Sequence, residues 1–183
     1  KGAPYTEDDA PAPVNVYGKS KLQGEESVRR AFPKGHLVIR TSGLFGPGGR
    51  SFVSAMLERY EAGERRFRVV SDQRTRPTYA PDLAEAIEGC LAKGLTGIYH
   101  ATSAGEATWC EFAKKIFDCA GFVDAEIESI TTVEFGARAA RPLFSVLDTS
   151  RTEREAGTVL PHYRDALARH LAERGYAVLK GDV

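Results

Sequence analysis

Residues 15–42, NVYGKSKLQGEESVRRAFPKGHLVIRTS, contain the helix-to-strand passage on which the fold assignment turns. From Asn15 to Phe32 the apolar residues Leu22, Val28, Ala31 and Phe32 recur at helical spacing and predict an amphipathic helix with one buried stripe. HLVIRTS, between Gly35 and Gly43, is a short apolar run rich in β-branched residues and predicts a buried strand. Tyr17 and Lys21 stand four residues apart at the opening of the helix, so they share a face with Cβ atoms about 5–6 Å apart. Two readings fit that pair. One is a half-buried aromatic beside a solvated charge. The other is a chemical pair, in which the ammonium stabilises the phenolate and lowers its pKa from about 10. A phenol tuned that way works as a general acid or base near neutral pH.

Outward from this passage, strands and helices alternate. GPGGR (46–50) is a turn, and SFVSAMLERYEAG (51–63) is a helix with Ser51 as N-cap and Gly63 past its end. RFRVVS (66–71) alternates like a strand, and PDLAEAIEGCLAKG (81–94) is a helix with Pro81 in its first turn and Gly94 as terminator. GIYHAT (97–102) is a strand. TWCEFAKKIFDCAG (108–121) opens with Thr108 and Glu111 in capping-box register and closes on Gly121. AEIESI (125–130) is a strand, and LPHYRDALARHLAERG (160–175) a final helix with Tyr163, Leu167 and Leu171 on one stripe. This alternation predicts an α/β fold with a largely parallel sheet.

Composition narrows the function classes. With 183 residues, 42% hydrophobic and 27% charged, the chain reads as a globular protein with one sizeable core or two small lobes. Its 25 basic and 25 acidic residues cancel, so neither nucleic acid nor an anionic membrane is expected as a partner. No apolar run reaches the length of a membrane span. Cys90, Cys110 and Cys119 are odd in number and lack C-x-x-C spacing, which points to a reducing compartment and against a zinc site. The four histidines are scattered, and no metal site is expected.

The glycine fingerprint of a dinucleotide-binding strand–turn–helix is missing. GLFGPGG (43–49) carries Pro47 in its middle and follows a late strand, so it reads as a connecting turn. The opening KGAPYTEDDAPAPVN reads as a surface loop leading straight into the Tyr17–Lys21 motif. The phosphate-binding half of any nicotinamide site is therefore expected upstream of Lys1, and residues 1–183 alone are expected to be inactive and to bind no NADPH.

The blocks VNVYGKSKLQGEE, HLVIRTSGLFGPGG, VVSDQRTRPTYAPDLAEAI, GIYHATSAGEATWCEFAKKIF and RPLFSVLD, in that order, resemble the C-terminal part of the dTDP-4-dehydrorhamnose reductase family, within the extended short-chain dehydrogenase/reductases. The resemblance runs from about Tyr5 to the last helix. It implies the end of a Rossmann-like parallel-sheet reductase plus a small substrate-binding lobe. Residues 1–41 would close the dinucleotide-binding domain, 42–66 form a substrate-lobe insertion, 67–100 return to the Rossmann sheet, and 101–183 form the substrate lobe. The implied reaction is NADPH- or NADH-dependent reduction of the 4-keto group of dTDP-4-dehydro-L-rhamnose to dTDP-L-rhamnose for cell-surface polysaccharide, in the cytoplasm, with a homodimer compatible.

The resemblance also implies roles. Tyr17 would protonate the alkoxide, and Lys21 would lower the phenol's pKa and hold the nicotinamide ribose, so both serve catalysis and cofactor binding. A further catalytic Thr or Ser would lie before Lys1; Thr6 is not promoted to that role. Substrate-side positions are Gly43, Gln73 and Thr78. Where the family usually continues RTSW this chain has Gly43, so Gly43→Trp is expected to fill a sugar pocket and tighten binding. Asp72 and Gln73 fit either cleft shaping or plain turn chemistry. Arg76 and Arg141 fit either a diphosphate or an ordinary surface. Trp109 is expected to pack rather than touch ligand, and His100 to be structural. An epimerase or 4,6-dehydratase of the same superfamily is an alternative. So is a non-catalytic relative such as the methionine adenosyltransferase regulatory subunit.

Overall fold

The computed structural model describes residues 2–178 of the chain. Asn15 caps helix α1 (Val16–Ala31), its side-chain oxygen accepting from the Gly18 amide. Strand β1 (Leu37–Arg40) follows, then the two-residue β2 (Leu44–Phe45). Helix α2 (Phe52–Glu61) starts at Ser51, whose capping-box partner is Ser54. Next come β3 (Arg66–Val70), β4 (Arg74–Thr75), β5 (Thr78–Tyr79) and helix α3 (Ala80–Ala92). After β6 (Gly97–His100) and β7 (Ala107–Thr108), helix α4 (Trp109–Ala120) runs from the expected Thr108–Glu111 box to Gly121, whose φ of 75° ends the helix. Strand β8 (Glu126–Ile130), short helices α5 (Thr132–Phe135) and α6 (Ser150–Ala156), and α7 (Tyr163–Glu173) complete the order.

The α/β class holds, but the strands form four two-stranded ladders instead of one broad sheet. β1 runs parallel to β6, with Leu37 opposite Gly97 and Arg40 opposite His100. β3 runs parallel to β8 and β2 parallel to β5, while β4–β7 is antiparallel. The segment 67–100 therefore does not return as a unit to the sheet of β1. β3 joins β8, and only β6 pairs with β1. The reason is packing: Phe67 and Val69 of β3 are buried against Phe112, Ile116 and Phe117 of α4 in the main core, together with α2 and α7. A smaller core of Leu83, Ala86, Ala101 and Leu160 lies beside β1 and β6, with Ile39 and Ile87 packed on it. Each fully buried Leu or Phe of this kind contributes about 1.5–3 kcal/mol through area removed from water.

The stripe expected on α1 is not buried. No residue of α1 is buried among the described residues; Phe32 is 66% exposed and Val28 42%, and only Leu22 of the stripe is half-covered. Nothing among the described residues packs over that face. The helix is held instead by its cap and by the Glu25 carboxylate, which accepts two hydrogen bonds from Arg40 at 2.9 and 2.6 Å. Among the described residues no helix is long and apolar enough to cross a membrane.

Gly43 and Thr78 belong to the β2–β5 junction. Gly43 has φ +58°, and a Cβ placed there would lie 2.8 Å from the Arg76 carbonyl oxygen and 3.0 Å from Pro77 Cα. The position takes glycine because the neighbouring backbone occupies the side-chain space. A tryptophan there has no pocket to fill, which corrects the expectation for Gly43→Trp. Gly43→Ala is expected to destabilise the fold by about 1–2 kcal/mol from its backbone conformation alone, with the close contact adding to that. Denaturant unfolding of the purified variant measures it, and unchanged stability would contradict the geometry.

His170 of α7 gives a pH prediction. It is 1% exposed, stands beside the Phe45 and Tyr79 rings at 5.8 and 5.6 Å, and neither ring nitrogen has a hydrogen-bond partner among the described residues. Burial pushes its pKa down; Arg174 adds to that and Glu173 opposes it. The native state thus holds His170 neutral while the unfolded chain protonates near its usual value of about 6.5. Stability is full above that value and falls with acid from there down through the lower folded pKa. Between about pH 8 and about pH 5, His170→Phe is expected to lose less unfolding free energy than the wild type. An equal loss would show that His170 does not carry the linkage.

Candidate active site

Two adjoining cavities flank the start of α1. The larger, about 660 Å³, is bounded by Val14–Tyr17, by Gln73 and Arg74, by Trp109, and by residues 138–142, which cross it as a strap. The smaller, about 300 Å³, takes Gly18, Lys21, Glu25, Arg40, His100 and the N-terminal residues Tyr5, Thr6 and Asp9–Pro13. Pro142 and Ser145 line both. Tyr17 faces one cavity and Lys21 the other, with the Lys21 Nζ 5.5 Å from the Tyr17 ring centroid. The helical spacing read from the sequence thus sets phenol and ammonium on the divide between two compartments.

The larger cavity is cationic. Arg74, Arg138 and Arg141 line it, and no Asp or Glu does. Arg74 is partly neutralised by Glu106 at 3.3 Å and Glu111 at 3.7 Å. Arg138 and Arg141 make no ion pair among the described residues. Both sit on the strap, a stretch without secondary structure that follows Gly136, the left-handed C-cap of α5. Unpaired guanidinium groups in a cleft without acids suit an oxyanion with bidentate geometry.

Both ends of the strap are fixed to residues 72–74. The Asp72 carboxylate accepts from the Thr132 amide at 3.0 and 2.9 Å and from the Thr132 hydroxyl at 2.6 Å, bonds that hold its carboxyl below the usual range. Gln73, itself buried, donates to the same hydroxyl at 2.9 Å. At the far end the Arg74 amide donates to the Leu143 carbonyl and the Ser145 amide to the Arg74 carbonyl. Asp72 is therefore turn chemistry with a consequence for the cleft. Gln73 both anchors the strap and lines the cleft.

The other expected positions divide. Of Gly43, Gln73 and Thr78, only Gln73 reaches the cleft. Thr78 is fully buried, its hydroxyl donating to the Arg76 carbonyl at 3.1 Å and accepting from the Ser103 amide at 3.3 Å. Arg141 lines the cleft, whereas Arg76 lines a separate cavity of about 200 Å³ with Thr102 and Asp148. Trp109 does more than pack. It packs against Phe52 with the rings tilted at 51° and 4.8 Å between centroids, and presents its half-buried ring to the cleft beside Tyr17. That ring also borders a second apolar slot of about 310 Å³ that shares Gln73 and Arg141 with the cleft. His100 is buried, with Nδ1 3.1 and 3.2 Å from the Tyr5 and Asp148 carbonyls; burial lowers its pKa. That pairing makes Nδ1 the donor and ties three segments together. Arg74 and Arg138 carried no motif in the sequence, and only the fold brings them into one cleft with Tyr17.

A nicotinamide dinucleotide fits the chain's residues at one end only. Lys21 with the adjoining 300 Å³ cavity can take a ribose. Among the described residues no glycine cradle for a pyrophosphate accompanies it, since Gly43 is packed against Arg76 and Pro77 and Gly46 against Ala80.

Comparison with known proteins gives the chain's relatives. SpsK of Bacillus subtilis (strain 168), a spore coat polysaccharide biosynthesis protein, is 44% identical over 174 residues, 95% of this chain and 60% of that protein. The crystal structure of a dTDP-4-dehydrorhamnose reductase from Clostridium acetobutylicum superposes with a TM-score of 0.90 at 31% identity, covering 96% of this chain and 61% of that one. That of the Bacillus anthracis reductase in complex with NADP gives 0.86 at 36% identity, covering 93% and 59%. The chain thus spans about 60% of the length of the relatives it matches. The family described as RmlD substrate binding domain matches residues 1–175, and the chain belongs to that family.

Proposed function

We propose that the protein carrying this chain reduces the 4-keto group of dTDP-4-dehydro-L-rhamnose to dTDP-L-rhamnose with NADPH or NADH. The observation that carries the proposal is the cleft itself. A phenol on the catalytic helix shares an acid-free cavity with three arginines, and a lysine one turn on faces the neighbouring compartment. A ketone on a nucleoside diphosphate asks for that combination: a proton donor at one end and guanidinium groups for the diphosphate at the other.

A nicotinamide, when bound, would supply the hydride for C4 of the sugar. Tyr17 gives its hydroxyl proton to the oxygen at that carbon. The Lys21 ammonium, 5.5 Å from the Tyr17 ring centroid, binds the ribose from the second cavity. Arg138 and Arg141 hold the diphosphate, and Trp109 covers the sugar side and keeps water out. The residues of this chain supply the proton, the substrate grip and the ribose contact. Among the described residues no glycine cradle accompanies the ribose contact, so residues 1–183 alone are expected neither to turn over nor to bind NADPH. The three buried free cysteines suit a cytoplasmic setting, and the cleft suits a nucleotide sugar and not a nucleic acid.

In the full-length protein, Tyr17→Phe is expected to lower turnover by about 10²- to 10⁴-fold, the usual worth of a general acid, with NADPH affinity nearly intact. Lys21→Met is expected to lower turnover and weaken NADPH binding together. Arg141→Ala should raise KM for the dTDP-sugar roughly tenfold or more, as expected for a charge-assisted contact, while leaving NADPH binding unchanged. Steady-state kinetics with the 4-keto sugar and NADPH titration read all three, and wild-type turnover in Tyr17→Phe would remove the assignment.

A further inference from the structure

Asn15 makes two hydrogen bonds with opposite ends of one amide. Its Oδ1 accepts from the Gly18 amide at 2.7 Å and caps α1, while its Nδ2 donates to the Ala140 carbonyl at 2.8 Å. Ala140 lies in the middle of the strap, between Arg138 and Arg141. Among the described residues this is the single hydrogen bond from residues 137–142 to the rest of the chain. The strap's ends are fixed at Thr132 and Leu143, and its middle is held from Asn15 alone. Tyr17 is two residues from the same cap.

We infer that Asn15 is a positioning residue that sets the distance between the proton donor and the diphosphate grip, by tying the arginine strap to the N-cap of the helix that carries Tyr17. An irregular, exposed segment keeps its conformational freedom unless contacts order it, at about 1–2 kcal/mol per residue. One bond at mid-span therefore decides whether Arg138 and Arg141 stand over the cleft or sample solvent. Asparagine suits the post because one end of its amide caps and the other donates. Serine caps a helix nearly as well, is equally neutral, and has no second group to reach Ala140.

Asn15→Ser in the full-length protein separates the two bonds. Backbone amides of residues 137–141 should exchange with deuterium faster than in the wild type, while those of residues 19–25 in α1 stay protected. KM for the dTDP-sugar should rise by about 2- to 10-fold, the worth of one hydrogen bond. KM for NADPH should hold, and kcat should fall by less than KM rises. Added to Arg141→Ala, Asn15→Ser should raise KM by less than it does alone, because both act on one grip. The kinetic arm rests on the reductase proposal, but the exchange arm does not. A wild-type protein without reductase activity but with the exchange change would sink that proposal and leave the tether standing. Unchanged exchange at 137–141 overturns the tether. Faster exchange with unchanged KM, or full additivity with Arg141→Ala, overturns the positioning role.

Discussion

The Asp72 carboxylate and Thr132 hold the cleft open as a cleft. Three donor contacts, two from one amide and one from a hydroxyl, keep Asp72 ionised and fix the start of α5. After α5, from Gly136 through the two unpaired arginines to Pro142, the chain is irregular and, apart from half-buried Ala137, exposed. Such a segment forms a wall only if its ends are fixed, and residues 72–74 fix both. Gln73 adds a bond to the Thr132 hydroxyl, and Arg74 exchanges backbone hydrogen bonds beyond Leu143. Without that anchor the cavity beside Tyr17 would lose one side and its positive charge.

The second constraint is the α-helical turn between Tyr17 and Lys21. Four residues place the two groups on the same face, yet the loop returning through Pro142 and Ser145 divides the space around them. The phenol looks into the cationic side and the ammonium into the side lined by Glu25, Arg40 and His100. Under the proposed function, the proton donor and the ribose contact are then close enough to couple and separate enough to serve two ligands. On the lysine's side the Glu25 carboxylate pairs with Arg40 and offsets its charge in the cavity that Lys21 also lines.

How much of this was legible in the sequence follows from periodicity. Thr108, Glu111 and Gly121 marked α4 at both ends because capping chemistry is local, and Ser51 marked the start of α2 in the same way, whereas Asn15 was read only as the first residue of α1. Tyr17 and Lys21 were legible because helical spacing alone puts them together. The strands β2, β4, β5 and β7 were not, since two residues cannot show an alternation. Gly43 stood out as a departure, but its cause, the Arg76 carbonyl against its Cα, is a contact 33 residues away that no local pattern encodes. The strap was the largest omission. ARAARP has no period, and its meaning comes from where Asp72 and Asn15 hold it. The exposed face of α1 reads as a core stripe in sequence because periodicity reports amphipathicity and not what covers it.

The central claim is that one cleft takes both ends of a nucleotide sugar, with its ketone at Tyr17 and its diphosphate at the strap. A crystal structure of the full-length protein with dTDP-L-rhamnose and NADP tests it most directly. The account predicts the sugar O4 within hydrogen-bond distance of the Tyr17 hydroxyl and the diphosphate oxygens on Arg138 or Arg141. A diphosphate seated on Arg76, or a sugar bound on the Lys21 side of Pro142, would contradict it.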